Sequence, residues 1–228
     1  EVDPDDEHAG MLNHGVNFFG HAAVASWSSS EAGTVLGAML PDFETMSRAR
    51  LASTEDAAVS AGIALHHATD AAFHRLPAVT GLMRELDERL THAGCARGPR
   101  RAVAHIGVEL LLDGVLADEP AYQAAYLAGL ACDDEPAWQA ADHPARFAVV
   151  RTRLRARGVP DDLRAVDATC TRLHRILAHR PLLAPSAADL DAIRAALDGF
   201  VHRVDVATAT ILRGLRAALA APAISATG

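Results

Sequence analysis

The chain has 228 residues, of which 50% are hydrophobic and 22% are charged, so it is long enough for one substantial core and does not have a disordered composition. Its net charge of −8 gives no support for a general electrostatic hold on nucleic acid or anionic membranes, and its apolar runs are far shorter than a membrane span of roughly 20 residues. The 3 cysteines are widely spaced and form no CxxC pair, which disfavours a disulfide framework and favours the reducing cytoplasm.

The first predicted elements follow an acidic segment, residues 1–10, which we expect to be a flexible tail. A short helix is expected over 17–26 and an apolar helix over 34–40. Pro41 is expected to end that second helix, which would place Asp42 at a helix end or in a loop. Residues 53–56 are typical of a helix cap and predict a helix that runs to about residue 75.

The rest of the chain also carries helical patterns. Helices are predicted over 78–93, 99–116, 121–130, 144–157, 163–179 and 187–220, with proline and glycine between them. Strand signals are nearly absent, because alternating β-branched runs do not occur. The sequence therefore predicts that residues 11–228 form a single all-α domain, a bundle of roughly eight to ten helices.

The most informative segment, residues 62–74, places polar side chains along one predicted helix. His66, Asp70 and His74 follow one another at intervals of four residues, so they share one helix face, whereas His67 points about 100° away from His66. A row of nitrogen and oxygen ligands on an apolar background is what a divalent metal requires. The simpler interpretation is an ordinary surface pair of His66 and Asp70, with His74 solvated at the helix end.

A second segment carries ionisable residues on a helix that is otherwise almost entirely apolar. His105, Glu109 and Asp113 are again spaced by four residues. Ionisable groups on a buried helix are costly unless their charge is compensated, and a metal provides that compensation. His105 alone could instead be a hydrogen-bonded core histidine.

Histidine and carboxylate ligands without thiolate suit Mn²⁺ or Fe²⁺, with Zn²⁺ or Mg²⁺ as alternatives. Such a cation lowers the pKa of water and holds phosphate oxygens, so phosphoester hydrolysis is the expected reaction. The sequence contains no Gly-x-Ser-x-Gly elbow, P-loop or Rossmann fingerprint.

Four motifs occur in an order that resembles one family. Asn-Phe-x-x-His occupies 17–21, Gly-x-x-x-Pro-Asp occupies 37–42, and Gly-Ile-x-Leu-His-x-x-x-Asp occupies 62–70; Glu-x-x-x-Asp-x-x-Leu-Ala follows at 109–117. This order resembles the acyl carrier protein phosphodiesterase family, which is similar to the all-α HD-type metal phosphohydrolases. The resemblance implies an HD-domain-like bundle and hydrolysis of the phosphodiester that joins 4′-phosphopantetheine to the carrier protein, with Mn²⁺ favoured.

The resemblance also implies roles for individual residues. The implied metal ligands are His21, Asp42, His66, Asp70 and Asp113. The helical spacing of the residues, and not the resemblance, adds four candidates for acid–base work or further ligation: His67, His74, His105 and Glu109.

The chain departs from the family pattern inside the site itself. His67 stands where arginine is usual, His74 where aspartate is usual and Gly114 where histidine is usual, while Glu109 replaces aspartate. Exchange of a carboxylate for histidine shifts the expected preference toward softer metals.

Basic residues over 172–180 predict a possible phosphate contact. Arg175 and Arg180 are the candidates for holding substrate, since arginine binds phosphate through two parallel hydrogen bonds. A solvated helix face is the simpler interpretation of the same residues.

The expected partner is a phosphoester substrate, for which the resemblance implies acyl carrier protein as the carrier. A second copy of the chain is a further candidate partner. Nucleic acid and membrane are not expected. Two other functions remain open at this level: an HD-like iron or manganese enzyme with oxidative chemistry, and a non-catalytic helical protein that binds a carrier domain or a phosphate ligand.

Overall fold

The computed structural model describes residues 18–134 and 136–221, which form an all-α bundle with one small sheet. The elements in chain order are α1 (Phe18–Ala25), α2 (Ala32–Ser47), β1 (Leu51–Ser53), α3 (Ala57–Phe73), α4 (Pro77–His92), α5 (Arg97–Leu116), α6 (Pro120–Ala131), β2 (Ala137–Trp138), α7 (His143–Arg157), α8 (Val166–Leu177), α9 (Ala187–Leu197) and α10 (Phe200–Ala220). The predicted tail over 1–10 lies outside the described residues. None of the helices between residues 18 and 221 combines the length and the apolar character that a membrane crossing needs.

Helix α5 is the central element of the bundle. It is buried over most of its length and packs against α1, α4, α8, α9 and α10. Its sequence is almost continuously apolar from Ala102 to Leu116, which is the composition expected of a helix with neighbours on most sides. Of the ionisable residues on α5, Glu109 and Asp113 are therefore buried inside the bundle.

Helices α2 and α3 approach so closely that their backbones touch. A Cβ atom at Gly37 would lie 2.1 Å from the carbonyl oxygen of Val59, and one at Gly62 would lie 2.1 Å from that of Thr34. Only glycine leaves room for this contact, because it has no Cβ. The contact brings the site-bearing faces of the two helices together.

Two predicted helix boundaries were wrong. Pro41 lies inside α2, so Asp42 is in a helix and not in a loop. A proline inside a helix removes one hydrogen bond, and here the buried residues on both sides, including Leu40 and Phe43, hold the helix together. The helix predicted over 187–220 is two helices, because Gly199 adopts a positive φ of 69° between α9 and α10.

The segment before α8 is tied to α5 at Gly114. A Cβ at Gly114 would lie 2.8 Å from Cγ of Arg164 and 3.1 Å from the backbone of Leu163. The Arg164 guanidinium pairs with Asp118 at 2.6 Å and with Asp205 at 2.5 Å. Gly114 is therefore covered by this segment, which leaves no room for a side chain at this position.

We expect Gly62→Ala to destabilise the protein by about 2 kcal/mol or more, because the added methyl group forces α2 and α3 apart. Gly81→Ala is the matched control: it lies on exposed α4 surface with nothing within 4 Å of its Cβ position. The control should stabilise the protein by about 0.5–1 kcal/mol, since alanine is the better helix former. Urea unfolding measures both, and a Gly62→Ala protein as stable as the control would contradict the close contact.

Candidate metal centre

Three buried side chains from the first three helices of the chain meet inside the bundle. His21 of α1, Asp42 of α2 and His66 of α3 each offer a ligand atom, and these atoms lie within 4.8 Å of one another. The three residues are only 3%, 4% and 6% exposed. We call this set the inner group.

The backbone of α2 fixes the orientation of the His66 ring. Nδ1 of His66 lies 2.9 Å from the carbonyl oxygen of Ala38, one helical turn before Asp42. A carbonyl can only accept, so Nδ1 donates and the lone pair is left on Nε2. A backbone carbonyl that holds one ring nitrogen in this way is the usual support for a metal-ligating histidine.

Both inner histidines are held in the neutral form. Burial, and then the nearby His66, lower the pKa of His21 from its usual value to about 3. Burial also lowers the pKa of His66, and the two rings stack with their centroids 3.9 Å apart. Neutral imidazole is the form that binds metals, so these two histidines could ligate a cation near neutral pH.

A second set of ligands lies closer to solvent. His74, His105 and Glu109 offer atoms within 4.8 Å of one another, with Nε2 of His105 3.1 Å and Nε2 of His74 3.7 Å from Oε1 of Glu109. The side chains of the two histidines are 26% and 22% exposed, whereas that of Glu109 is 3% exposed. Burial opposes protonation of His105, but the hydrogen bond and charge of Glu109 outweigh it and raise the pKa of His105. We call this set the outer group.

Asp70 lies between the two groups. Its Oδ1 atom is 3.9 Å from Nε2 of His21 and 3.7 Å from Nε2 of His74, so one carboxylate oxygen faces both sets. Burial acts to raise the pKa of Asp70, but His74, His21 and His66 together lower it below its usual value. An ionised carboxylate between two ligand groups can serve a cation in either one.

The buried carboxyl groups of Asp42 and Asp113 are held toward their protonated form. Burial, followed by the charges of Glu109, Asp70 and Asp113, raises the pKa of Asp42 well above its usual value. Burial and the charge of Glu109 likewise raise the pKa of Asp113, against the effect of its hydrogen bond from Gly20. Crowding of acidic groups in a buried site is the condition that a bound cation relieves.

Unpaired atoms in the same place fit a metal as well. Nδ1 of His21, Oδ2 of Asp42 and Oε2 of Glu109 are buried and have no hydrogen-bond partner among the described residues. Unpaired buried polar atoms are costly, and nitrogen and oxygen donors without thiolate match the divalent cations predicted from the sequence. The residues present therefore fit a metal.

Asp113, predicted as a ligand, lies outside both groups. Its Oδ1 accepts a hydrogen bond of 2.9 Å from the backbone N–H of Gly20, one residue before His21. The carboxylate thus joins α5 to α1 beside the inner group. Its predicted role as a ligand stays a prediction.

The other predicted residues lie at the edges of the site. His67 is exposed and meets His66 edge-on with ring centroids 5.3 Å apart, so it belongs to neither group. Arg175 lines a cavity that also reaches Asp113, and Arg180 is neither in this cavity lining nor in either group.

That cavity has a volume of about 290 Å³ and was not predicted from the sequence. Tyr126 of α6 and Arg157, the last residue of α7, line it together with Phe18. Of these three residues only Phe18 belongs to one of the four motifs, the Asn-Phe-x-x-His motif that ends at His21. No sequence spacing links α6, α7 and α8, so nothing in the sequence could have assembled the cavity.

We expect Asp42→Asn to stabilise the metal-free protein at high pH. Because the folded chain holds the Asp42 proton to a higher pH than the unfolded chain, the contribution of this carboxyl to stability is lost as the pH rises above about 4. Asparagine has nearly the same shape and does not ionise. Thermal melting in chelator should therefore show a gain of several degrees at pH 8 that disappears toward pH 4.

Asp191→Asn is the control for the loss of a carboxylate elsewhere on the chain, since the Asp191 side chain is 82% exposed on α9. It should show no such pH-dependent gain. An Asp42→Asn protein that is less stable than the parent at pH 8 would mean that the carboxylate is needed by the fold itself.

Comparisons with known proteins leave the site to be interpreted from its own geometry. No protein-family model matches the chain, and no curated protein or solved structure matches it either. The resemblance to acyl carrier protein phosphodiesterases therefore rests on the four motifs alone. What the arrangement can do chemically follows from the two ligand groups and from Asp70 between them.

Proposed function

We propose that this chain is a metal-dependent phosphoester hydrolase. One observation carries the proposal: a single oxygen of Asp70 faces His21 of the inner group and His74 of the outer group, at 3.9 and 3.7 Å. Two histidine–carboxylate groups that share a carboxylate are suited to hold one or two cations beside a phosphate. The four ordered motifs in the sequence favour the same class of reaction.

The ligands indicate which cation to expect. His21, Asp42 and His66, with Asp70, would hold the first cation; His74, His105 and Glu109 would hold a second. Mn²⁺ and Fe²⁺ suit this mixture of imidazole and carboxylate best, with Zn²⁺ and Mg²⁺ as weaker candidates. When bound, such a cation supplies Lewis acidity, which stabilises charge on phosphate oxygens and lowers the pKa of water.

The outer group is placed to handle protons. His74 and His105 are partly exposed, whereas the inner group is buried, so a phosphate can reach the site from their side. The Glu109 carboxylate keeps a proton on His105 to higher pH than on an ordinary histidine. When the outer group holds no cation, we expect His105 to donate that proton to the leaving alkoxide oxygen.

The substrate class follows from the resemblance. The proposed substrate is the phosphodiester that joins 4′-phosphopantetheine to an acyl carrier protein, or a related phosphoester. His67 and His74 stand where the family pattern has other residues. The proposal therefore concerns the hydrolysis of a phosphoester first and the acyl carrier protein as its carrier second.

We expect protein purified without a nickel column to contain Mn, Fe or Zn at near-stoichiometric levels. His66→Gln should lower the metal content strongly and reduce hydrolysis of bis(p-nitrophenyl) phosphate by about 100-fold or more, because it removes an inner ligand. Elemental analysis and the release of p-nitrophenol measure the two effects. His174→Gln, an exposed histidine of α8, is the control and should match the parent in both.

The same experiment can contradict the proposal. Metal without hydrolysis of any phosphoester would favour the redox interpretation, and no metal after incubation with Mn²⁺ or Fe²⁺ would favour a binding protein. Retained hydrolysis in His66→Gln would show that the inner group is not the site.

We expect Asp70→Asn to affect both groups at once. It removes the shared carboxylate charge but keeps the size of the side chain, so turnover should fall by about 100-fold or more. The metal-free protein should stay folded and lose some thermal stability above about pH 4, because the fold lowers the pKa of this carboxyl. Metal titration followed by activity assay at each ratio measures this. An Asp70→Asn enzyme with parental kcat at saturating Mn²⁺ would remove Asp70 from the mechanism.

A further inference from the structure

The cavity beside Asp113 begins one helical turn beyond the two ligand groups. Three helices run from the groups to the cavity. On α2 and α5, the cavity residues Met46 and Asp113 each lie four residues after a group member. On α1, the cavity residue Phe18 lies three residues before His21. One turn of α-helix advances about 5.4 Å. The cavity and the metal centre are therefore neighbouring compartments of the same bundle.

The inner part of the cavity is apolar. Phe19, Leu110 and Tyr126 are buried and line it, and the partly buried Ile176 of α8 lines it as well. Burial also raises the pKa of the Tyr126 phenol, so this wall stays uncharged. A wall of this kind favours a hydrocarbon guest over a free ion.

The outer part of the cavity is cationic. Arg157 and Arg175 are exposed, and neither makes a hydrogen bond or ion pair with a described residue; Arg172 also lines the cavity but pairs with Asp162. Two unpaired guanidinium groups beside an apolar cavity can bind a phosphate or carboxylate through paired hydrogen bonds. The apolar part suits a hydrocarbon chain and the cationic part suits an anionic head group, so the two parts fit the two ends of one amphiphilic molecule.

We propose that this cavity binds an amphiphilic anion, an alkyl chain of medium length with a phosphate or carboxylate head at Arg157 and Arg175. The volume of about 290 Å³ accommodates roughly ten groups of water size, at about 30 Å³ each, which corresponds to a chain near ten carbons. The site goes beyond the proposed hydrolysis, because neither its apolar wall nor its arginines require a metal. Its test is therefore run in the presence of chelator.

Isothermal titration of the full chain with decyl phosphate and decanoate, below their micelle-forming concentrations, tests the proposal. At least one of the two should bind, and the tighter one identifies the head group. Butyl phosphate should bind at least about 100-fold more weakly than decyl phosphate, since each buried methylene contributes about fourfold. Decyltrimethylammonium, with the same chain and the opposite charge, should not bind.

Variants separate the two parts of the site. Arg157→Gln combined with Arg175→Gln should weaken binding at least about tenfold, the effect of losing a charge-assisted contact. Arg155→Gln, an exposed arginine of α7 outside the cavity, is the matched control and should not weaken it. Ile176→Trp fills the cavity and should abolish binding, with thermal melting as the check on folding.

Several results would overturn the proposal. The proposal fails if neither decyl anion binds, if the decyl cation binds as tightly as the anions, or if the double arginine variant keeps the parental affinity. Because chelator is present throughout, none of them bears on the metal-dependent hydrolysis, which is measured separately.

Discussion

The contact between α2 and α3 through Gly37 and Gly62 is the constraint on which the candidate site depends. The absence of side chains at these two positions lets the backbones touch, and this sets the carbonyl of Ala38 at 2.9 Å from Nδ1 of His66. Asp42 lies one turn further along α2 and completes the inner group. Packing of small residues therefore determines the geometry of the ligands, even though neither glycine is itself part of the site.

Electrostatics sets the condition under which this packing is stable. Asp42, Asp70, Glu109 and Asp113 lie near one another inside the bundle, and the two inner histidines are neutral. The metal-free chain relieves the crowding by holding protons on Asp42 and Asp113, whereas a bound cation relieves it with both ionised. Burial thus makes the ionised carboxylates costly, and the proposed cation would offset that cost.

The helical periodicity of the sequence predicted the fold class and the faces on which most site residues lie. Spacing by four placed His105 with Glu109 and Asp70 with His74, and both pairs are in contact in the structure. Helix ends were less predictable: Pro41 did not end α2, because buried neighbours hold the helix together across it. The sharing of Asp70 between two groups and the cavity near Arg157 depend on tertiary packing, which no local pattern contains.

The segment held by Arg164 has an evolutionary consequence. It lies against Gly114, so any side chain at that position would require Leu163 and Arg164 to move, and the ion pairs with Asp118 and Asp205 oppose that movement. Position 114 and the segment before α8 are therefore epistatic. A larger residue at 114 would be accommodated only together with a change that releases the Arg164 anchor, because substitutions at touching positions do not act independently.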